Sequence, residues 1–195
     1  MGIEYELKFR ADDAALTAIY QAYCQYPHMQ YDMETTYYDT PSGALSARHY
    51  TLRRRMENEK SVCTLKTPAI GLGRNEIELE CAGIEDAIPA ICASGAPEDF
   101  GTLVQEGIVA VCSAKFHRTA ITLKLEDCTL ELALDRGCLT GGGKTVPLCE
   151  AEVELKEGDT VSADIFAQML AIQFGLRPET RSKFRRALAL SRGEN

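Results

Sequence analysis

The chain has 195 residues, of which 29 are acidic and 21 basic, giving a formal net charge of −8 at neutral pH. This acidic balance argues against a general nucleic-acid binder, because such proteins neutralise phosphates with an excess of Lys and Arg. No apolar run approaches the roughly 18 residues of a membrane-spanning helix, and no basic-then-apolar secretory signal opens the chain. We therefore expect a cytoplasmic protein with one domain over residues 1–195, no membrane association and no specific nucleic-acid partner.

The first half of the chain is predicted to contain one helix among several strands. Apolar and charged residues alternate over residues 3–10, which is the period of a strand with two different faces. Asp12 is predicted to cap a helix that continues to Tyr23. Further strands are predicted over residues 35–39, 50–55, 61–67 and 74–81, with turn or loop signals at 40–43, 56–60 and 68–73.

The second half mixes broken helices with longer strands. Residues 84–106 are predicted to be helical with interruptions at Pro89, Gly95, Pro97 and Gly101. Ser162 is predicted to cap a helix that Gly175 ends, and a short basic helix follows over residues 181–190. Strands are predicted over residues 109–125, 128–136 and 146–156. This order indicates one α+β domain of about eight antiparallel strands with helices packed outside.

Eight cysteines are spread along the chain without a CxxC pair and without zinc-like spacing to a histidine. The even count is compatible with four disulfides. The length of the chain, the scatter of the cysteines and the missing signal segment favour reduced, mostly buried thiols instead.

Charged side chains occupy alternate positions of almost every predicted strand. Such a face is usually solvated, and that interpretation holds for any one strand alone. Here the charged positions are almost wholly Glu, Asp, Arg and Lys, and Arg suits bidentate binding of phosphate oxygens. The positions are Glu4, Glu6, Lys8, Arg53, Arg55, Lys66, Arg74, Glu76, Glu78, Glu80, Arg118, Glu131, Asp135, Glu150, Glu152 and Glu154. Arg54 has the opposite parity and is expected to face outward.

A closed eight-stranded barrel with this face inside would enclose one charged cavity with room for a small ligand. Carboxylates 5 Å apart repel by roughly 3 kcal/mol at an effective dielectric constant near 20. A hard divalent cation would offset that repulsion, since Mg²⁺ takes oxygen ligands and bridges to substrate phosphates.

An ordered set of motifs resembles the CYTH domain superfamily, whose members are also called triphosphate tunnel metalloenzymes. The N-terminal Glu4-x-Glu6-x-Lys8 resembles the family's ExExK signature, and the resemblance covers nearly the whole chain. The later motifs are Tyr38-Asp39-Thr40-Pro41, Leu52-Arg53-Arg54-Arg55, Leu65-Lys66-Thr67-Pro68, Arg74-x-Glu76-x-Glu78, Leu134-Asp135-Arg136-Gly137, Glu150-x-Glu152-x-Glu154-Leu155 and Ser182-Lys183-Phe184.

The resemblance implies a closed eight-stranded antiparallel tunnel with helices outside, a Mg²⁺ or Mn²⁺ cofactor and a substrate that carries a triphosphate. It implies metal binding by Glu4, Glu6, Glu150, Glu152, Glu76 and Glu78. It implies triphosphate binding by Lys8, Arg53, Arg55, Lys66, Arg118 and Lys183. Direct catalytic roles fall to Lys8, Glu78 and Asp135. The protein is expected to be a monomer or a homodimer.

Hydrolysis of inorganic triphosphate is the predicted activity, because the motifs consist of residues that bind phosphate and metal, and no feature that would recognise a nucleotide base is evident. A class IV adenylyl cyclase and a thiamine triphosphatase are the enzymatic alternatives, and a non-catalytic polyphosphate or nucleotide binder is the alternative of another class. Gly142-Gly143-Lys144-Thr145 resembles the end of a phosphate loop, but Cys138 stands where that motif needs Gly, so we predict a hairpin turn. In the basic helix, Lys183 is expected to plug the tunnel while the other cations are solvated.

Overall fold

The computed structural model describes residues 5–68 and 74–194. Its strands are β1 (Tyr5–Arg10), β2 (His28–Asp39), β3 (Thr51–Glu57), β4 (Lys60–Pro68), β5 (Arg74–Glu80), β6 (Val109–Lys124), β7 (Cys128–Gly141), β8 (Lys144–Gly158) and β9 (Arg177–Pro178). Its α-helices are α1 (Asp13–Tyr23), α2 (Ala44–Ala47), α3 (Ile84–Ala93), α4 (Glu98–Leu103), α5 (Thr160–Phe174) and α6 (Lys183–Arg192), with a 3-10 turn over Val104–Glu106.

One antiparallel sheet contains all nine described strands, in the order β5-β4-β3-β2-β6-β7-β8-β1-β9. The predicted eight strands are present, and β9 adds a two-residue ninth strand beside β1. In the described part of the chain the ladders leave β5 and β9 as the two ends of the sheet. Closure of the sheet into a barrel therefore stays a prediction. Residues 1–4 and positions 69–73 of the predicted turn at 68–73 lie outside the described residues, and Pro68 is the last residue of β4.

Local capping chemistry sets the ends of the helices. The carboxylate of Asp12 accepts a hydrogen bond from the backbone N–H of Ala15, which confirms the predicted start of α1. The prediction for α5 was wrong by one turn: Asp159, and not Ser162, is its N-cap, and the Asp159 side chain accepts from the Ser162 N–H at 2.9 Å. A carboxylate at this position also stabilises the positive end of the helix dipole.

The glycine pair between β7 and β8 forms a hairpin turn, as predicted. Gly142 and Gly143 have φ angles of 57° and 75°, and Gly141 pairs with Lys144 across the ladder. Two consecutive positive φ angles match the twist of a two-residue hairpin, and glycine adopts them without steric cost. No phosphate loop forms here, because a strand follows the turn instead of a helix.

The two faces of the sheet differ in chemistry. On the outer face, Leu130 and Leu132 pack in a cluster with residues of α1 and α5. Leu52 and Leu65 pack in a second cluster with Ile91 of α3 and residues of α4. Burial of each such side chain contributes roughly 1.5–3 kcal/mol. The outer face therefore supplies most of the apolar core, which leaves the inner face available for charged side chains.

Helix α6 departs from the prediction that the helices pack outside. Its Phe184 joins an inner-face cluster that includes Tyr37 and Phe116, with the rings of Tyr37 and Phe184 5.1 Å apart. At this end of the sheet the inner face carries Leu139 and Leu148, both fully buried. An apolar patch on the inner face needs an apolar cover, and α6 provides it.

The eight cysteines are free thiols, as predicted. Cys63, Cys112 and Cys128 are buried, whereas Cys24 and Cys92 are exposed, so burial is less general than expected. Burial raises the pKa of the Cys63 thiol to about 11 and that of Cys112 to about 12, which keeps these thiols protonated near neutral pH. Among the described residues, no helix is both long enough and apolar enough to cross a membrane.

Gly137 provides a test of how tightly β6 and β7 pack. A Cβ atom at this position would lie 2.1 Å from the backbone oxygen of Lys115. We predict that Gly137→Ala lowers the free energy of unfolding by about 2–3 kcal/mol, because backbone must move to accept the methyl group. Urea denaturation measures the change.

The matched control is Gly101→Ala in α4, where the new Cβ would meet the Cys92 sulfur at an ordinary 3.6 Å. This variant is expected to be unchanged or up to about 1 kcal/mol more stable, since Ala favours a helix over Gly. Equal effects of the two substitutions would contradict the close approach at Gly137.

Candidate functional site

The inner face of the sheet borders a cavity of about 880 Å³. Each strand from β1 to β8 contributes lining side chains, and α6 adds its first turn. The lining residues alternate along the strands: Arg53 and Arg55 of β3 line the cavity. Arg54 instead donates a hydrogen bond to the Ser61 hydroxyl away from the cavity, as its parity predicted. The charged faces of the strands thus meet around one space.

Strands β3, β4 and β5 form a basic wall of this cavity. Lys66 lies 3.3 Å from Glu76, Arg53 lies 3.7 Å from Glu76, and Arg55 lies 3.7 Å from Glu78. The Nε atoms of Arg53 and Arg55 are buried and have no hydrogen-bond partner. Burial and the neighbouring Arg53 lower the pKa of Arg55. Arg55 also forms an ion pair with Glu57. Two adjacent guanidinium groups that keep unpartnered donors have the chemistry to bind an anion.

Strands β1, β7 and β8 form the opposite wall, which is mainly acidic. Glu6, Glu131 and Glu154 line it, together with Lys8 and Lys156. Lys8 forms an ion pair with Glu6. Burial opposes the charge of Lys8, but the carboxylates of Glu6 and Glu152 outweigh burial and raise its pKa. Lys8 therefore stays protonated near neutral pH, between the acidic wall and the cavity.

Three carboxylates converge on one ammonium group at the end covered by α6. Nζ of Lys183 lies 2.6 Å from Glu152, 2.8 Å from Asp135 and 3.4 Å from Glu150. Arg118 donates two hydrogen bonds of 2.8 Å to Asp135 and one of 2.5 Å to Glu152. We call Asp135, Glu150 and Glu152 the carboxylate cage. The ring of Phe116 lies beside it, 5.2 Å from Lys183 Nζ.

Burial and the neighbouring charges act in opposite directions on the pKa values of this cluster. Burial alone would raise the pKa of Glu152, but Lys183 and Arg118 outweigh it and hold the pKa well below its usual range. Burial would likewise discharge Lys183, but Asp135 and Glu152 outweigh it and raise its pKa. Burial dominates at Glu150 and raises its pKa, although Arg186 lies 3.0 Å away. One oxygen of Glu150 has no hydrogen-bond partner.

Strand register explains why these distant residues meet. Arg118 pairs with Asp135 across β6 and β7, and Asp135 pairs with Glu150 across β7 and β8. Lys8 pairs with Glu152 across β1 and β8. Facing residues on antiparallel strands have neighbouring Cβ atoms, so the ladder alone brings the cage together. The cation at the centre of the cage does not come from a strand: Lys183 is the first residue of α6, directly after the N-cap Ser182.

The carboxylate cage suits a hard divalent cation by its donor chemistry. All its donors are carboxylate oxygens, the ligand type that such cations take. The three carboxylates surround one positive charge, the Lys183 ammonium. Among the described residues, no group of three or more acidic, His or Cys side chains is arranged to hold a metal ion as it stands. The carboxylate oxygens of the cage are instead engaged by Lys183, Arg118 and Arg186.

The structure separates the predicted metal ligands into groups. Glu150 and Glu152 lie in the cage and Glu6 on the acidic wall beside it. Glu76 and Glu78 lie on the basic wall, paired with Lys66 and Arg55. Glu4 lies outside the described residues. The predicted phosphate ligands Lys8, Arg53, Arg55, Lys66, Arg118 and Lys183 all line the cavity. Asp135 is fully buried beneath Arg118 and does not line it.

Sequence reasoning was wrong about Arg186, which was expected to be solvated. Its side chain is largely buried and contacts Glu150 and Glu179. The spacing to Lys183 was the available signal, since residues three apart share a helix face and both can point toward the sheet. The cation–π contacts of Phe116 carried no sequence signal, because they depend on α6 packing on the inner face.

The CYTH domain family model matches residues 2–188, so the chain belongs to this family. An inorganic triphosphatase from Haemophilus influenzae is 26% identical over 165 residues, which cover 84% of this chain and 47% of that protein. The chain thus spans about half the length of this curated relative.

Solved structures resemble the whole fold. A putative adenylyl cyclase from Hippeastrum, described as having a dominant triphosphatase activity, has a TM-score of 0.66 at 19% identity, covering 99% of this chain and 97% of that one. A Pyrococcus horikoshii protein has a TM-score of 0.62 at 20% identity, covering 97% and 99%. At these identities the likeness concerns the fold alone.

Glu152 provides a test of the buried charge cluster. We predict that Glu152→Gln lowers the free energy of unfolding by about 3 kcal/mol at pH 7, because it leaves Lys183 and Arg118 short of buried negative charge. The folded-state pKa of Glu152 is depressed, so its contribution is complete above the unfolded value of about 4.3 and is lost as the pH falls toward the folded value. The difference between wild type and variant should therefore narrow below about pH 4.

Glu80→Gln is the matched control, because Glu80 pairs with Lys60 in an exposed ion pair. Its expected effect is about 0.5 kcal/mol or less. Urea denaturation across pH 3–8 separates the variants. A pH-independent loss in Glu152→Gln would contradict the assigned charge state.

Proposed function

We propose that this protein hydrolyses inorganic triphosphate with the help of a divalent metal ion, inside a charged tunnel. The observation that carries the proposal is a single cavity lined by Arg53 and Arg55, whose buried Nε donors have no hydrogen-bond partner, and by Glu152 of the carboxylate cage. One cavity thus offers an anion site and a cation site together. A phosphate chain carrying a divalent cation has the complementary charges.

The cavity residues support a division of labour. Arg53, Arg55 and Lys66 bind phosphate oxygens on the basic wall, and their fixed positions orient the chain for attack. Lys8 and Arg118 stabilise the charge that develops on the leaving phosphate. Glu152 and Glu150 would hold Mg²⁺ or Mn²⁺ together with Glu6 and Glu4, and a bound metal would neutralise charge between adjacent phosphates.

Two acidic residues serve the reaction in different ways. Glu78 is about half exposed at the cavity surface, so it can orient a water molecule and accept its proton. Asp135 is fully buried and holds Arg118 with two hydrogen bonds, so it acts as a positioning residue through that arginine. The hydrolysis needs no covalent nucleophile in this scheme.

Three of the four aromatic side chains that line the cavity are already in contact with other side chains, which favours inorganic triphosphate over an organic one; Tyr31 is the fourth. The rings of Tyr37 and Phe184 pack on each other, and Phe116 lies against Arg118 and Lys183. These rings are therefore engaged before any base or thiamine ring enters. The cavity volume of about 880 Å³ points the other way, because it exceeds what a bare triphosphate fills. Organic triphosphates are accordingly the competing substrates.

A substrate panel tests the proposal. We expect inorganic triphosphate to be hydrolysed to pyrophosphate and phosphate with Mg²⁺ or Mn²⁺, with a higher kcat/KM than for ATP, GTP or thiamine triphosphate. Chelation with EDTA should abolish turnover and added metal should restore it. Release of pyrophosphate and a cyclic nucleotide from ATP would identify a cyclase instead. Tight binding without turnover of any triphosphate would identify a non-catalytic binder.

The neighbouring arginines of β3 provide a second test. We predict that Arg53→Ala lowers kcat/KM for triphosphate by about 10- to 100-fold, the loss expected for hydrogen bonds to a charged group. Arg54→Ala removes the same side chain from the adjacent residue, which points away from the cavity, and is expected to change kcat/KM less than twofold. Similar losses in both variants would place the phosphate site elsewhere.

A further inference from the structure

Helix α5 leaves a row of apolar side chains on the surface of the protein. Val161, Ile165, Met169 and Ile172 are 60%, 54%, 63% and 84% exposed. They follow one another at intervals of four, four and three residues, which places them on one side of the helix. We call these four residues the α5 stripe. Half of the exposed large apolar side chains of the described residues thus lie on this one helix.

The opposite side of α5 is apolar as well. Its residues Ala163, Ala167 and Leu170 are buried in the cluster on the outer face of the sheet. A surface helix ordinarily turns charged and polar residues to the solvent, and a helix that is apolar on all sides is typical of one that is covered on all sides. The sheet and α1 cover only one side of α5. The α5 stripe therefore has the composition of an interface.

The area of the α5 stripe is sufficient for a small specific interface. Its four side chains expose roughly 500 Å² of apolar surface, near the upper end of the largest patch on an ordinary monomer. Two such patches placed face to face would bury about 1,000 Å², the least that a specific protein–protein interface needs. A second copy of the chain supplies the second patch, because a two-fold interface uses the same surface of both subunits.

The charges around the stripe favour a second copy over a lipid surface. The other exposed side chains of α5, namely Thr160, Gln168 and Gln173, are uncharged. Asp164 is the single charged residue of α5, and its carboxylate accepts a hydrogen bond from the Tyr5 hydroxyl. Two copies of this face can therefore approach each other without repulsion, although the whole chain carries a net charge of −8. Helices that lie on membranes carry Lys and Arg beside their apolar face, and α5 has neither.

We propose that the protein is a homodimer in which the α5 stripes of two copies pack against each other with the helices antiparallel. This arrangement places Val161 of each copy beside Ile172 of the other, and Ile165 beside Met169, so that all four side chains are covered. The two helix dipoles then run in opposite directions, which favours antiparallel over parallel packing. Helix α5 packs on the outer face of the sheet, away from the cavity, so the dimer does not depend on the proposed triphosphate function.

A charge within the stripe tests the dimer. Size-exclusion chromatography with light scattering is expected to give twice the monomer mass for the wild type at about 100 µM. We expect Ile172→Glu to weaken the dimer about 100-fold or more, because the interface would bury a carboxylate without a partner. The substitution leaves the fold of the monomer intact, since Ile172 is 84% exposed.

The matched control is Val109→Glu, which adds the same charge at an exposed apolar residue of β6. This variant is expected to dimerise within about twofold of the wild type. Equal effects of the two substitutions would overturn the proposal. A wild type that stays monomeric would also overturn it, and flotation of that monomer with phosphatidylcholine vesicles would assign the stripe to a lipid surface instead.

Opposite charges test the direction of the two helices. Val161→Lys is expected to prevent dimerisation in the same way as Ile172→Glu. In an equimolar mixture of the two variants, antiparallel packing places the introduced ammonium beside the introduced carboxylate, so the mixture should dimerise about tenfold more tightly than either variant alone. A mixture that stays monomeric would overturn the proposed arrangement. Neither experiment includes triphosphate, so a failure of the dimer is distinguishable from a failure of the proposed hydrolysis.

Discussion

The buried ion pairs between α6 and the sheet are the contacts on which the site depends. Asp135, Glu150 and Glu152 come from two adjacent strands, and Lys183 and Arg186 come from the helix that covers them. Each partner is costly to bury alone, so the helix and the strands need each other. The cluster fixes where α6 lies, and α6 in turn closes one end of the cavity with Phe184.

The cavity separates charge by strand. The basic wall comes from β3, β4 and β5, and the acidic wall comes from β1, β7 and β8, which lie toward the other end of the sheet order. A basic and an acidic wall therefore border one space, although opposite charges also pair within a ladder, as in Lys66–Glu76 and Arg118–Asp135. A ligand that is anionic and carries a cation can contact both walls at once, which is the basis of the proposed triphosphate chemistry.

The two charged regions of the site differ in whether their polar groups already have partners within the protein. The guanidinium groups of Arg53 and Arg55 retain unpartnered donors, whereas the cage carboxylates are filled by Lys183. The chain belongs to the CYTH domain family and shares its fold with the Hippeastrum protein. The choice among substrates depends on the contents of the cavity.

The sequence by itself determined most strands, the inward or outward direction of their side chains and a set of cationic residues that line the cavity. A period of two is a local property, so Arg53 and Arg55 were separable from Arg54 without any tertiary information. The Gly142-Gly143 turn and the Asp12 cap could also be predicted, because they too depend on local sequence. The start of α5 was not, because Asp159 and Ser162 are both good caps and local preference alone ranks them poorly.

Only the tertiary structure decided where α6 lies and which charges pair. The amphipathic pattern of α6 is equally compatible with packing on either face of the sheet, and the apolar inner patch of Leu139 and Leu148 selects one face together with the buried ion pairs of Lys183 and Arg186. That choice buried Arg186 and placed Lys183 within the carboxylate cage. The strand order separated Glu76 and Glu78 on β5 from Glu152 on β8. Ion pairing depends on distances between elements far apart in the chain, and side-chain parity within one strand carries no information about those distances.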